Sequence, residues 1–203
     1  MFWYNDEVTS IENQPVKPKS TNKKRIVFYG SSSLRLWSTL ETDFTELDIV
    51  NQAFGGSTLA ACCWFFKRLI PIQAPDAMVI YAGDNDLGDG RHPEEVFLFF
   101  KNMMALIQQN CGDIPVAFVS IKPSLSRQYL SDSVQYTNKI IKDEIDRIHP
   151  NCTFVAVYNE MLANGLPDSR YYQADGLHLS EPGYQLWKEI LREKFLFRFI
   201  QSD

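Results

Sequence analysis

Four short stretches of this chain carry groups suited to making and breaking bonds. "YGSSSLRLW" places the hydroxyls of Ser31, Ser32 and Ser33 directly after Gly30, and "NQAFGGSTL" exposes backbone amides at Gly55 and Gly56. "YAGDNDLG" adds the side-chain amide of Asn85, and "QADGLHLSEPGY" sets Asp175 three residues before His178. A hydroxyl nucleophile, bare hydrogen-bond donors and a carboxylate beside an imidazole are the components of acyl transfer through a serine.

Each component answers a physical need. A serine hydroxyl attacks poorly near neutral pH until a base takes its proton, and His178 is the best base in the chain because imidazole changes charge near neutrality. Asp175, in a turn that contains Gly176, can accept a hydrogen bond from one ring nitrogen and leave the other facing the serine. The tetrahedral intermediate carries an oxyanion, and the amides of Ser32 and Gly56 with the Asn85 side chain are the expected donors.

Taken singly, these residues have plainer explanations. The three serines suit a turn and a helix N-cap, Gly55-Gly56 suits a tight turn, and Asp86 suits a cap for the segment that follows it. Asn85 suits a loop hydrogen bond, and an Asp-x-x-His pair before a helix suits an exposed surface pair. The functional reading rests on their coincidence at four corresponding places in the chain.

Those places are set by the elements. From Arg25 onward, short β-branched or aromatic runs at 26–29, 48–54, 77–82, 116–121 and 153–158 alternate with helical periodicity at 33–40, 57–69, 93–110, 132–148 and 182 to about 200. The third helix puts Val96, Phe100, Met103 and Ile107 on one face, and the fourth does so with Val134, Ile141, Ile145 and Ile148. The last carries Tyr184, Trp187, Leu191 and Phe195, with Ser180 as N-cap and Pro182 in the first turn. Such alternation predicts an α/β fold, a mostly parallel sheet covered by helices on both faces as a three-layer α/β/α sandwich. Loops leaving the carboxyl ends of parallel strands share one edge, where ligands bind, and all four chemical stretches fall on such loops.

Bulk properties restrict the partners. With 203 residues the chain fits one domain, read as 25–203 preceded by a helix and linker at 1–24. Apolar residues at 45% and charged residues at 22% exclude disorder and fibrous repeats. The net charge of −5 and the scattered basic residues, apart from Lys17, Lys19, Lys23, Lys24 and Arg25, argue against nucleic acid as partner. Cys62, Cys63, Cys111 and Cys152 lack zinc or redox spacing and read as reduced core residues. The longest apolar run, 59–66, is too short to span a bilayer, and "MFWYNDEVTS" lacks the pattern of a signal peptide, so a cytoplasmic protein is expected.

The phrases "FYGSSSLRLW", "YAGDNDL", "SIKPS" and "ADGLHLSEPGY" resemble the SGNH hydrolases, also called GDSL-like lipases and acylhydrolases, over nearly the whole chain from Arg25 to Trp187. They look like a bacterial branch in which the GDS signature is written GSS, and "FWYNDEVTSIE" looks similar to the start of that branch. The resemblance makes Ser32, Gly56, Asn85 and His178 the four residues of the family name, with Asp175 as the acid of its D-x-x-H block. Ser32 is thereby the nucleophile, and Ser31 stands where the family usually has aspartate. Gly56 rather than Gly55 is assigned to the oxyanion hole.

The family implies a flavodoxin-like fold with parallel strand order 2-1-3-4-5 and hydrolysis of carboxylic esters or thioesters without metal or cofactor. Because no lid-sized apolar insertion is visible, short acyl groups are expected, acetyl in particular, on a small-molecule ester that includes carbohydrate esters. Arg127, in "KPSLSRQYLS", is expected on the alcohol side and Tyr172 on the pocket wall. A monomer or small homo-oligomer is expected. Rival readings on the same sequence are a lysophospholipase or thioesterase, an acyltransferase, a phosphate binder using the turn from Gly30 to Ser33, and a non-catalytic carbohydrate-binding module.

Overall fold

The computed structural model describes residues 1–197 and Phe199. An amino-terminal helix, α1 (Asn5–Glu12), precedes five strands: β1 (Arg25–Gly30), β2 (Asp48–Asn51), β3 (Ala77–Tyr81), β4 (Val116–Val119) and β5 (Cys152–Val155). Between and after them run α2 (Ser32–Arg35), α3 (Leu40–Asp43), α4 (Leu59–Leu69), α5 (Asp84–Gly88), α6 (Pro93–Cys111), α7 (Ser131–Ile148) and α8 (Glu181–Leu191). The five strands form one parallel sheet of order 2-1-3-4-5, with β1 and β3 paired from Ile26 opposite Ala77 to Gly30 opposite Tyr81. A two-stranded antiparallel ribbon, β6 (Leu162–Ala163) and β7 (Leu166–Pro167), follows β5.

Strand side chains alternate between two cores because successive residues point to opposite sheet faces. Val27, Tyr29, Met78, Ile80, Val116 and Phe118 pack with α1, α4, α6 and α7. Ile26, Phe28, Val79, Tyr81, Ala117 and Val119 pack with Trp37, Trp187 and Leu191 around α2, α3 and α8. Helices on both faces explain why the strands read as continuous apolar runs, as parallel strands do. The expected α/β/α sandwich and its strand order are what the structure has.

Several boundaries differ from expectation. The helix predicted at 33–40 is two short helices, because the chain between them turns Trp37 into the core, where its indole N–H donates to Asp43 at 2.7 Å. The helix expected from Ser57 begins at Leu59: Ser57 Oγ donates to the Gly30 carbonyl at 2.8 Å, and Thr58 Oγ1 caps the helix by accepting from Ala61 N at 3.0 Å. The strand read through 54 ends at Asn51. Helix α5 has no periodic signal in so short a stretch and was not expected. Val96, Phe100, Met103 and Ile107 are all buried, whereas Ile148 of the fourth predicted face is exposed. Ser180 caps α8 by accepting from Gly183 N at 3.3 Å, and the predicted helix end near Ile200 lies outside the described residues.

The segment before β1 is tied to the sheet. Arg25, nearly fully buried, forms an ion pair with Asp48 at 2.7 Å and also donates to the Lys17 carbonyl. Val8 of α1 lies in the core shared with α4.

Candidate active site

The carboxyl ends of the strands bring the four stretches to one edge. Gly30 closes β1 so tightly against β3 that a Cβ there would lie 1.9 Å from the Tyr81 carbonyl oxygen, and its φ of +150° favours glycine as well. Ser31, extended and buried, donates its amide to that same carbonyl at 2.9 Å and precedes α2. Ser32 opens α2, so its amide is among the N–H groups that a helix leaves without an intrahelical acceptor. Ser33 is buried.

Ser32 Oγ lies 3.1 Å from His178 Nε2, and His178 Nδ1 lies 2.6 Å from Asp175 Oδ2. The other oxygen of Asp175 accepts the backbone amides of Leu177 and His178, each at 2.9 Å. The carboxylate thus orders the turn it belongs to and the imidazole that follows. Assigned from this network, the Nδ1 proton faces Asp175 and the Nε2 lone pair faces the Ser32 hydroxyl. Gly176, with φ +64°, makes the turn, and its carbonyl accepts from Ser126 N at 3.2 Å and Ser124 Oγ at 3.1 Å.

The Leu177 amide first, together with the ring and amide of His178, holds the Asp175 carboxyl down to about 2 against the opposing effect of burial. Because this lies below the ordinary aspartate value of about 3.9, the carboxylate favours the folded state above about pH 4, a contribution lost as pH falls toward 2. Asp175 therefore keeps its charge from pH 5 to pH 8. A carbon-13 NMR titration is expected to place its midpoint near 2, and a midpoint in the ordinary carboxylate range would contradict the hydrogen bonds described.

Asn85, in α5, donates Nδ2 to the Ser57 carbonyl at 3.1 Å. Its Oδ1 is gripped by both terminal nitrogens of Arg127, each at 3.1 Å, which fixes the amide's orientation. Arg127 also pairs with Asp84 at 2.8 Å, and Lys122, fully buried, approaches the other Asp84 oxygen at 3.6 Å. Burial pulls the Lys122 ammonium below its usual range, opposed by the Asp84 charge. Gly88 leaves room for the guanidinium: a Cβ there would lie 2.9 Å from its central carbon.

Ser32, His178, Asp175, Asn85 and Gly56 all reach this edge. Arg127 reaches it too, with its two terminal nitrogens donating to Asp84 and Asn85. Tyr172 is buried, donates its hydroxyl to the Pro123 carbonyl at 2.8 Å, has the Lys122 ammonium over its ring, and lines a pocket with Asp175 and Gly176. Asp86 does not cap the segment after it. Its buried carboxylate accepts Leu59 N at 2.6 Å and Ala60 N at 3.4 Å, capping α4 across the site, and burial raises its carboxyl. The contacts of Arg127 with Asn85 and of Lys122 with Asp84 have no local signature in the sequence.

A hydroxyl, an imidazole and a carboxylate in one hydrogen-bonded line, at the ligand-binding edge of a parallel α/β sheet, form the constellation of hydrolases that work through a serine. At the level of family, the sequence pattern of the GDSL-like lipase/acylhydrolase family matches residues 27–186, and the chain belongs to that family. It is an enzyme that cleaves ester bonds by hydrolysis.

Solved structures share the fold. A Streptococcus pneumonia protein provisionally described as a platelet activating factor has a TM-score of 0.80 at 22% identity, covering 95% of this chain and 94% of that one. A GDSL-like lipase from Bacteroides thetaiotaomicron gives 0.76 at 21%, covering 94% and 95%, and a lipase/acylhydrolase from Enterococcus faecalis 0.68 at 22%, covering 86% and 96%. No curated protein matches the sequence. Among the described residues, no helix is long and apolar enough to cross a membrane.

Proposed function

We propose that the protein hydrolyses short-chain carboxylic esters, acetyl esters in particular, through an acyl-enzyme formed on Ser32. The observation that carries this reading is the 3.1 Å approach of Ser32 Oγ to the ring nitrogen of His178, with the opposite nitrogen held by Asp175. His178 takes the hydroxyl proton as Ser32 Oγ bonds to the acyl carbon, and the carbonyl π electrons move to its oxygen. The oxyanion accepts hydrogen bonds from the amides of Ser32 and Gly56 and from Asn85 Nδ2. The carbonyl re-forms as the bond to the alcohol oxygen breaks, and His178 returns the proton to that oxygen. Water, deprotonated by the same imidazole, attacks the acyl-enzyme and releases the acid together with free Ser32.

Two features support a small acyl group and a polar alcohol. The loop after β4 is folded back on α5 through Arg127 and Asp84 and is no lid. A groove of about 860 Å³ runs past Leu36, one turn from Ser32, and Leu179, next to His178. Ser38, Thr39, Gln173 and Gln185, with the carboxylates of Asp43 and Glu181, line it with hydrogen-bonding groups suited to a polyhydroxylated leaving group. Four free thiols, three of them buried, favour a reducing compartment.

The test is kcat/KM on p-nitrophenyl acetate, butyrate and octanoate, followed by acetylated sugars. A decline of about tenfold or more from acetate to octanoate is the expected outcome, since each excess methylene that finds no pocket loses binding. A preference for octanoate would overturn the acetyl reading while leaving ester hydrolysis in place. Appearance of acetylated product with an added alcohol acceptor would make the enzyme a transferase.

A further inference from the structure

We propose that the amino-terminal segment is part of the catalytic apparatus as a positioning element: Glu7 and Tyr4 hold the Gly56 amide where an oxyanion would form. The inference rests on the serine-esterase reading above.

The loop between β2 and α4 turns through two adjacent glycines, the least constrained backbone there is. Gly56 has φ +62°, and a Cβ built on it would meet nothing within 4 Å, so packing does not hold it. The loop is fixed from outside instead. Glu7 Oε2 accepts the Gly55 amide at 2.9 Å, which anchors the peptide unit before the one carrying the Gly56 N–H. The Tyr4 hydroxyl donates to the Gly56 carbonyl at 3.1 Å, which anchors the peptide unit after it. The unit that carries the proposed donor is thus suspended between two pinned neighbours, and it can rotate only if they move.

The same carboxylate also contacts the helix that carries the other oxyanion donor. Glu7 Oε1 lies 3.3 Å from Arg35 Nε, and Arg35 is the last residue of α2, the helix that Ser32 opens. One side chain of α1 therefore bridges the end of α2 and the loop after β2, the two backbone elements whose amides would converge on one oxygen. The arrangement also separates Gly55 from Gly56: the Gly55 amide is consumed by Glu7, whereas the Gly56 amide meets no acceptor among the described residues.

The platform beneath is firm. Val8 is fully buried against α4, Arg68 of α4 pairs with Glu12, and the Tyr4 ring meets Phe54 edge-on at 5.5 Å. The Glu7–Arg35 pair itself is 38% and 44% exposed, a setting in which ion pairs contribute little to stability. A carboxylate that matters little to folding and touches both the loop of one donor and the helix of the other is expected to appear in the rate.

The test compares kcat, KM and Tm on p-nitrophenyl acetate for the full chain and for Glu7→Ala, Glu7→Gln, Tyr4→Phe and the Glu7→Ala/Tyr4→Phe pair, with Ser32→Ala as the site control. Outright loss of an oxyanion donor costs about 10²- to 10³-fold, so displacing one is expected to lower kcat by roughly tenfold in Glu7→Ala and more in the pair. KM should stay within about twofold, because the oxyanion contact forms only in the transition state. Glu7→Gln keeps an oxygen for the Gly55 amide and is expected to recover most of kcat. Unchanged kcat in Glu7→Ala and in the pair, with Ser32→Ala inactive, would overturn this inference alone. A fall in kcat that tracks a fall in Tm and is not recovered in Glu7→Gln would also overturn it, because the segment would then only stabilise the fold. Full activity in Ser32→Ala would overturn the reading of the site itself, and this inference with it.

Discussion

Replacing Ser32 by alanine is expected to lower kcat on p-nitrophenyl acetate by about 10⁴-fold or more, because removing a serine nucleophile leaves only the stabilisation supplied by donors and binding. The three consecutive serines make this a sharp experiment. Ser31 spends its backbone on the Tyr81 carbonyl and is buried before α2, and Ser33 is buried within it; Ser32 is the one whose Oγ stands 3.1 Å from His178. Ser31→Ala and Ser33→Ala are therefore expected to retain most of the activity of the folded protein. Fluorophosphonate labelling mapped by mass spectrometry should place the adduct on Ser32. An adduct on either neighbour, or an active Ser32→Ala, would refute the assignment.

Asp175→Asn is expected to cost about 10⁴-fold in kcat, far more than the loss of the carboxylate's stabilising charge explains, because an asparagine that keeps the geometry still presents the wrong hydrogen-bonding partner to the imidazole. The turn should survive the change: one side-chain oxygen can still accept the amides of Leu177 and His178, which in the native protein both bond to Oδ1. What is lost is the acceptor at Oδ2 that faces His178 Nδ1 at 2.6 Å. An amide NH₂ there favours the tautomer with its proton on Nε2, which then faces Ser32 with a hydrogen instead of a lone pair. Saturation kinetics beside a thermal melt separate this from unfolding. A loss below about tenfold would mean that His178 is oriented by the turn and not by the carboxylate.

What the sequence determined by itself was whatever short-range chemistry dictates. Apolar runs bounded by glycine marked β1 and β3, helical spacing marked the buried face of α6, and the three-residue offset of Asp175 and His178 across Gly176 already implied one turn holding both. These signals lie within a few residues of each other, so local backbone preference and the periodicities of strand and helix suffice to carry them.

Tertiary structure alone decided what depends on which loops come to lie side by side. Ser32 and His178 are 146 residues apart, and only the docking of α8 against the β1 face brings them within reach. Arg127 was legible as a cation near the edge, but only the folded loop shows its two terminal nitrogens donating to Asp84 and Asn85. Tyr4 and Glu7 lie in the stretch that resembles the start of the family branch, but nothing local in it points to Gly55 and Gly56: their hold on that loop arises from packing α1 on α4, a sum of many weak contacts. Local codes named the groups, and long-range packing set the ångströms between them on which an oxyanion or a proton transfer depends.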